Sequence, residues 1–305
     1  MSQTHSTSKT AAWIESLRPL TLPLALASIV TGSALAAWMH HFQLDIALMA
    51  LLTAAMLQIL SNLANDYGDA IKGSDTETRI GPNRGMQKGL INQAQMKRAL
   101  IIVIILTIAS GIALIALACK KPEDIIGFLG LGLLAIIASI TYTVGRKPYG
   151  YMGLGDISVL IFFGWLSVAG TYYLQAGTFD SIVILPATAC GLLATAVLNI
   201  NNLRDIDNDR MNGKNTLAVR LGPLWGRRYH FLLLAGALLC LVLFALFDLR
   251  SWSGWLFILA VPLLYRHAMY VLHEPTAVAM RPMLEQMVKG ALLTNILFAI
   301  GVVLS

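Results

Sequence analysis

The chain has 305 residues, of which 57% are hydrophobic and only 12% are charged. Its mean hydropathy is +0.69, so it carries more apolar surface than a soluble core of this length buries. This composition excludes an ordinary soluble domain and predicts a chain that lies in lipid.

Nine apolar stretches follow one another, each with the roughly 20 residues that a helix needs to cross a bilayer. They lie at about residues 20–40, 44–65, 98–119, 124–144, 154–175, 181–203, 228–248, 252–272 and 286–304. The first stretch contains Ser33-Ala34-Leu35-Ala36, which resembles a signal-peptidase site, but its apolar run is too long for a signal peptide. The pattern predicts an all-α membrane protein with about nine transmembrane helices in one bundle.

Positive charges are predicted to gather on one side of these helices. Of the 22 Lys and Arg residues, all but Lys120, Lys121 and Arg250 lie on that side. Cytoplasmic loops collect Lys and Arg, so we expect a cytoplasmic amino terminus. The same rule accounts for the net charge of +6, and we therefore expect no nucleic-acid partner.

The chain is predicted to be a single domain over residues 1–305, because no polar stretch is long enough to fold independently. Residues 1–12 are expected to be a flexible tail. Two long polar connections, at about residues 65–97 and 201–228, are expected to cap the cytoplasmic side. The three cysteines are scattered through apolar segments, where they indicate packing and not a disulfide framework or a metal site.

Acidic and amide side chains begin both polar connections. The first acid cluster, at the end of helix 2, comprises Asn62, Asn65, Asp66 and Asp69. The second acid cluster, at the end of helix 6, comprises Asn201, Asn202, Asp205 and Asp209. Spacings of four residues put Asn201, Asp205 and Asp209 on one helix face, whereas Asp207 points elsewhere. The shared Asn-x-x-x-Asp spacing suggests a parallel internal repeat.

The residue types in both clusters indicate a hard divalent cation. Clustered carboxylates near a membrane are costly and are rarely kept without a cation or an ion pathway. Oxygen ligands without His or Cys favour Mg2+, which takes one or two carboxylates together with water and phosphate oxygens. Two such half-sites, facing each other, would clamp a diphosphate.

Basic residues follow the acids and suit the same ligand, because Arg and Lys pair well with phosphate oxygens. They are Lys72, Arg79, Arg84 and Lys88 after the first acid cluster, Arg146 and Lys147 after helix 4, and Lys214 and Arg220 after the second. Taken singly, a base such as Arg79 is more often explained by membrane topology. Asp156 precedes an apolar run and is expected to cap helix 5 in preference to a functional role.

With these motifs, the sequence resembles the UbiA superfamily of intramembrane aromatic prenyltransferases over essentially its whole length. The two acid clusters and several local stretches carry the resemblance: Ser16-Leu-Arg18-Pro19, Arg79-Ile-Gly-Pro-x-Arg84-Gly85, Tyr142-Thr143-x-Gly145 and Gly213-Lys214-x-Thr216-Leu217-x-Val219-Arg220-Leu221-Gly222. These stretches are similar to those of members that prenylate 1,4-dihydroxy-2-naphthoate. The resemblance implies a central cavity that opens to the cytoplasmic side of a bacterial cytoplasmic (inner) membrane.

The resemblance further implies transfer of a polyprenyl chain from polyprenyl diphosphate to 1,4-dihydroxy-2-naphthoate, with loss of CO2 and diphosphate. It implies that the Mg2+ diphosphate is held by Asn62, Asp66, Asp69, Asn201, Asn202, Asp205 and Asp209, with the four aspartates as catalytic residues. We expect the substrates to be bound by Arg18, Lys72, Arg84, Lys88, Tyr142, Arg146, Lys147 and Lys214. The family's first motif often carries a further Asp at the position that Gly73 occupies in this chain. Asp75 lies two residues beyond that position, so we do not expect it to be a ligand.

Ionisation of the diphosphate would leave an allylic cation, which loops must shield from water. The aromatic faces of Tyr142, Tyr149 and Trp165 are candidates to stabilise it, although interfacial anchoring explains the tyrosines equally well. The carboxylate of the acceptor needs a cationic partner, for which Arg84 and Lys88 are the candidates.

Three other classes of protein share some of these features. A secondary transporter also has repeats and acids in its helices, but it would hold the acids near mid-bilayer and not at helix ends. A family member with another acceptor, such as 4-hydroxybenzoate or a haem, would carry the same acid clusters. A scaffold protein would have no use for paired acids.

Overall fold

The computed structural model describes residues 8–73, 80 and 84–305. Within these residues nine helices are long and apolar enough to cross a membrane, which confirms the all-α prediction. We number them α1 (Lys9–Trp38), α2 (Leu44–Lys72), α3 (Gln93–Ala118), α4 (Pro122–Thr141), α5 (Gly155–Ala176), α6 (Ser181–Arg204), α7 (Leu217–Asp248), α8 (Trp252–His273) and α9 (Met280–Val303).

The first polar connection is shorter than hydropathy predicts, because α2 and α3 both extend into it. α2 continues to Lys72 and ends at Gly73, whose left-handed φ of 67° terminates the helix. α3 begins at Gln93 behind a capping box formed by Asn92 and Gln95. The expected cap loop at about 65–97 is therefore wrong at both ends, since backbone hydrogen bonds sustain a helix beyond its apolar residues.

The second polar connection also contains more helix than expected. A short helix, Ile206–Met211, follows α6 after one non-helical residue, Asp205. α7 begins at Leu217, where the Thr216 hydroxyl accepts a hydrogen bond from the backbone N–H of Val219. The loop expected at about 201–228 is thus reduced to a few residues between Met211 and Leu217.

α1 consists of two pieces joined by a turn at Arg18. The first piece, Lys9–Leu17, is helical and is capped by Ser8, so the expected flexible tail of residues 1–12 is wrong from residue 8 onward. Residues 1–7 lie outside the described part of the chain. Ala12 packs against the connection between α2 and α3, because a Cβ on Gly85 would lie 3.2 Å from the Ala12 carbonyl.

The helices differ in how much of their surface is covered by protein. α5 and α6 approach closely at two glycines, since a Cβ on Gly164 would lie 2.9 Å from the Cα of Gly191. α4, in contrast, has no buried residue. One side of α4 lines a cavity, and the helix packs against α2 and α3.

Candidate active site

The first acid cluster lies on the last turns of one continuous helix, α2. Asn62, Asp66 and Asp69 are all buried. The Asn62 amide donates a hydrogen bond to the Leu17 carbonyl at 2.9 Å, so the turn of α1 lies over the face that carries this cluster.

Two arginines from other segments neutralise the first acid cluster. Arg18 Nη2 lies 2.8 Å from Asp66 Oδ1, and Arg84 Nη1 lies 3.1 Å from Asp66 Oδ1 and 2.9 Å from Asp69 Oδ2. Arg18 has a φ of 53°, a left-handed conformation that non-glycine residues rarely adopt and that clusters at functional sites. The turn of α1 and the connection after α2 therefore close together over the end of α2.

The second acid cluster spans the break between α6 and the short helix Ile206–Met211. Helical hydrogen bonds persist across the break, with Asp205 N to Asn201 O at 3.2 Å and Asp209 N to Asp205 O at 2.8 Å. Asn202, Asp205 and Asp209 are buried, whereas Asp207 is exposed. The four-residue spacing thus keeps its one-sided character even though the helix is interrupted.

Arg204 belongs to the second acid cluster but was not identified from the sequence. Its side chain is 3% exposed, and it binds Asp205 twice, through Nε at 2.9 Å and Nη2 at 2.7 Å. Nη2 also donates to the Asn201 amide oxygen at 2.8 Å. In the sequence, only its position between Asn202 and Asp205 points to a role in the cluster. A basic residue at the end of a transmembrane helix is also explained by membrane topology, so this position alone does not identify it.

Lys214 lies between the two clusters. Its Nζ is 3.9 Å from Asp69 Oδ1 and 4.0 Å from Asp209 Oδ1. The two clusters therefore face each other at one end of the bundle, which we call the polar end.

Two other predicted bases lie at the edge of the polar end. Lys72 is exposed, and its Nζ lies 4.8 Å from the ring centroid of Tyr151. Lys88 Nζ bonds to Glu15 at 2.7 Å, an ion pair that links α1 to the connection after α2. Each base thus already has a protein partner.

The basic pair after α4 stands apart from the acids. Arg146 and Lys147 are exposed, and neither makes an ion pair with any residue that the structure describes. Arg220 holds the backbone instead, donating from Nη2 to the Met152 carbonyl at 2.7 Å. Asp75 and Arg79 lie outside the described residues.

Two tyrosines face the cavity below the acids. Tyr142 fits against Gly155, where a Cβ would lie 2.8 Å from its hydroxyl, and Tyr149 meets it edge-on with ring centroids 5.2 Å apart. Burial, followed by the nearby Asp156 carboxylate, raises the pKa of Tyr142 well above its usual range. Burial also raises the pKa of Tyr149. Both hydroxyls therefore stay protonated at neutral pH, and both residues line the cavity.

Trp165 and Asp156 differ from their predicted roles. Trp165 is 40% exposed and its indole N–H donates to Thr188 at 3.0 Å, which places it away from the cavity. Asp156 does not cap α5, because the N-cap residue is Leu154. It is 5% exposed, and its Oδ1 is buried without a hydrogen-bond partner among the described residues.

A cavity of about 670 Å³ leads from the acids into the bundle. Its polar end is lined by Arg18, Asn62, Asp69, Arg84, Asn201 and Lys214. Its far end is lined by apolar side chains that include Leu114, Ile115 and Phe128. Such a space suits a ligand with a charged head and a long apolar tail.

The oxygen donors of the two clusters suit Mg2+, but they do not by themselves supply a complete set of metal ligands. Among the described residues, no group of three or more His, Cys, Asp or Glu side chains could hold a metal ion. Asp66 Oδ2 is nevertheless buried without a hydrogen-bond partner in the described chain. Mg2+ takes few carboxylates and relies on phosphate oxygens and water. The donor set therefore fits a metal bound jointly with a diphosphate, and not a separate metal cage.

The fold and the facing acid clusters are those of a membrane-embedded prenyltransferase, and the chain belongs to the UbiA prenyltransferase family, whose model matches residues 25–287. It is 67% identical over 298 residues to the 1,4-dihydroxy-2-naphthoate octaprenyltransferase of Escherichia coli (strain K12), covering 98% of this chain and 97% of that protein. It is 56% identical to the protein of the same name from Haemophilus influenzae, covering 97% of each chain. The chain is thus a multi-pass membrane protein with bacterial relatives.

Solved structures share the fold. A UbiA homolog from Archaeoglobus fulgidus bound to GPP and Mg2+ superposes with a TM-score of 0.66 at 15% identity, covering 96% of this chain and 100% of that one. At this identity the similarity establishes the arrangement of helices alone.

Proposed function

We propose that this chain transfers a polyprenyl chain from polyprenyl diphosphate to 1,4-dihydroxy-2-naphthoate, with loss of diphosphate and CO2. The product is demethylmenaquinol, an intermediate of menaquinone biosynthesis. The observation that carries the proposal is the meeting of two acid clusters, bridged by Lys214, at the head of a long apolar cavity. The choice of acceptor is supported by the 67% and 56% identical relatives, which are named for this substrate.

Negative charge develops on the leaving diphosphate as the allylic C–O bond breaks, and groups already in place must neutralise it. Arg18, Arg84 and Lys214 lie among the acids and supply positive charge at the head of the cavity. Mg2+, when bound, would neutralise further charge on the diphosphate oxygens. We propose as its ligands, shared with the diphosphate, the two clusters' polar side chains: Asn62, Asp66, Asp69, Asn201, Asn202, Asp205 and Asp209.

The cavity would hold the prenyl tail and exclude water from the allylic cation. Neutral Tyr142 and Tyr149 line it below the acids. A desolvated aromatic face stabilises a cation by about 1 to 2 kcal/mol. The same enclosure protects the cation until the electron-rich ring of the acceptor attacks it.

The carboxylate of the acceptor requires a cationic partner, and Arg84 is the better of the two candidates. Arg84 lines the cavity, whereas Lys88 is not among the described residues that line it. We propose that Arg84 holds the acceptor's carboxylate until it is lost as CO2.

Purified protein in detergent, incubated with Mg2+, a polyprenyl diphosphate and one of two acceptors, tests the proposal by mass spectrometry. We expect demethylmenaquinol, detected after oxidation, from 1,4-dihydroxy-2-naphthoate and no product once EDTA is added. Prenylated 4-hydroxybenzoate as the sole product would refute the acceptor and keep the transferase. Absence of product from both acceptors would contradict the proposal itself.

We also propose that residues 1–305 form one domain in the bacterial cytoplasmic (inner) membrane, with the amino terminus and the polar end facing the cytoplasm. The concentration of Lys and Arg at the polar end supports this orientation. In a background without native cysteines, Lys120→Cys should react with an impermeant maleimide in cells whose outer membrane is permeabilised. Met211→Cys, also exposed, should react only after the inner membrane is opened, and the reverse pattern would contradict the orientation.

A further inference from the structure

Tyr151 lies between the end of α2 and the segment that precedes α7. It belongs to the short 3-10 turn Tyr149–Met152 between α4 and α5. Its hydroxyl donates to Asp69 Oδ1 at 2.9 Å, and its carbonyl accepts from the backbone N–H of Asn215 at 3.1 Å. Tyr151 thereby joins the first acid cluster to the segment that follows the second.

The ring of Tyr151 also contacts a lysine from each side of the site. Lys72 Nζ lies 4.8 Å and Lys214 Nζ 5.4 Å from its centroid, distances at which the ring attracts an ammonium group. Lys72 follows the first acid cluster, and Lys214 bridges both. One aromatic side chain therefore holds two flexible cations close to the acids.

The turn that carries Tyr151 is itself anchored. Arg220 donates from Nη2 to the Met152 carbonyl at 2.7 Å and from Nε to the Asn215 carbonyl at 3.3 Å. Gly153 ends the turn with a φ of 71°, and a Cβ there would lie 2.8 Å from Arg220 Nε. The backbone at Tyr151 is thus fixed to the segment before α7 independently of its hydroxyl and ring contacts.

We propose that Tyr151 is a positioning residue that sets the two acid clusters against each other for the metal diphosphate. Its hydroxyl orients the Asp69 carboxylate, and its ring holds Lys72 and Lys214 where the phosphate oxygens would lie. Tyr151 acts through these three side chains and needs no contact with the substrate. The inference rests on the proposed function, and it assigns separate consequences to the hydroxyl and to the ring.

Two variants separate these consequences. Tyr151→Phe removes the hydroxyl and keeps the ring, so two quantities should each rise about tenfold, the factor expected for a hydrogen bond to a charged group. They are the Mg2+ concentration for half-maximal activity and the Mg2+ concentration that gives half of the Mg2+-dependent rise in melting temperature with polyprenyl diphosphate bound and no acceptor present. Its KM for polyprenyl diphosphate at saturating Mg2+ should change little. Tyr151→Leu removes both groups and should also raise that KM about threefold or more, through loss of the cation–π contacts.

A matched control exists at the opposite end of the bundle, where the Tyr173 hydroxyl donates to Asp124 at 2.6 Å. Tyr173→Phe loses the same kind of hydrogen bond and should leave both the Mg2+ dependence and the KM unchanged. Melting temperatures identify a variant that does not fold. If Tyr151→Leu is such a variant, Lys72→Met takes its place and should give the same rise in KM.

Three outcomes would overturn the inference. The first is an active wild type whose Mg2+ dependence and KM are unaffected by Tyr151→Phe and by Tyr151→Leu or its replacement, which leaves the proposed function intact. The second is an equal fall in kcat for the Tyr151 and Tyr173 variants without a change in Mg2+ dependence, which shows a structural role. The third is a wild type that makes no prenylated product, which refutes the proposed function together with the inference.

Discussion

The two acid clusters share a spacing, yet the chain neutralises them in different ways. The second carries its own counter-charge, because Arg204 is adjacent to Asp205 in the sequence and binds it through two nitrogens. The first is neutralised by residues from other segments of the chain. Arg18 lies 48 residues from Asp66, and Arg84 lies 15 residues from Asp69, the carboxylates with which they make hydrogen bonds. One cluster is thus balanced by local sequence and the other by tertiary contacts.

This difference predicts which side of the site responds to ligand. The contacts of Arg204 with Asn201 and Asp205 join residues at most three positions apart, so they hold whenever that stretch of chain is folded. Those of the first acid cluster hold only when the turn of α1 and the connection after α2 lie over the end of α2. We therefore expect substrate entry to rearrange the first cluster and to leave the second nearly unchanged.

The largest effect should come from removing one carboxylate from either cluster. Asp66→Asn and Asp205→Asn each remove a charge that faces the proposed diphosphate, and each should lower kcat/KM by more than about 100-fold. Asp207→Asn is the matched control, because Asp207 is an exposed acid beside the second cluster. If Asp205→Asn retained activity, the two clusters would not be equivalent half-sites.

Replacing one arginine in each cluster tests the contrast directly. Arg204→Met leaves the buried Asp205 carboxylate without its bidentate partner and should lower the free energy of unfolding by about 3 kcal/mol. Arg84→Met should cost clearly less stability, because Asp66 keeps Arg18. Thermal midpoints of the two variants in one detergent give the comparison. Equal losses would show that the first cluster is as rigidly built as the second.

A close backbone contact beside the first acid cluster gives a smaller expected effect. A Cβ on Gly68 would lie 2.5 Å from Thr143 Oγ1 and 2.8 Å from the Thr143 carbonyl carbon. Gly68→Ala should therefore destabilise the fold by about 1 to 3 kcal/mol through overpacking between α2 and the connection after α4. Gly130→Ala is the control, since a Cβ there meets nothing within 4 Å on α4. A thermal midpoint equal to that of Gly130→Ala would show that Thr143 can move aside without a loss of stability.

Much of this architecture follows from one-dimensional signals. Hydropathy locates the nine helices, and the four-residue spacing groups the second acid cluster on one side. Hydropathy ends the second helix before Lys72 and does not predict the helix Lys9–Leu17. It detects only the apolar part of a helix, whereas backbone hydrogen bonds continue the helix into polar sequence. The left-handed turn at Arg18 could not be read from local sequence either, since a non-glycine residue rarely adopts it.

The sequence did not reveal Tyr151 and Arg204, for two different reasons. Tyr151 reaches Asp69 across 82 residues, and no local pattern marks such a contact. Arg204 is adjacent to its partner, but a basic residue at the end of a transmembrane helix already has an explanation in membrane topology. Residues with distant partners, and residues whose position has a second explanation, are thus identified only from the folded structure.

The smallest effect is expected at Lys88, where sequence and structure suggest different partners. The Lys88–Glu15 pair has side chains 26% and 42% exposed, and such a surface pair contributes about 0 to 1 kcal/mol. Lys88→Ala should therefore change the thermal midpoint only slightly and leave the KM for 1,4-dihydroxy-2-naphthoate unchanged, whereas Arg84→Ala should raise that KM. A rise for Lys88→Ala as large as for Arg84→Ala would restore Lys88 as the partner of the carboxylate. It would also mean that Glu15 releases Lys88 when the acceptor binds, so that the connection after α2 moves as the contrast between the clusters predicts.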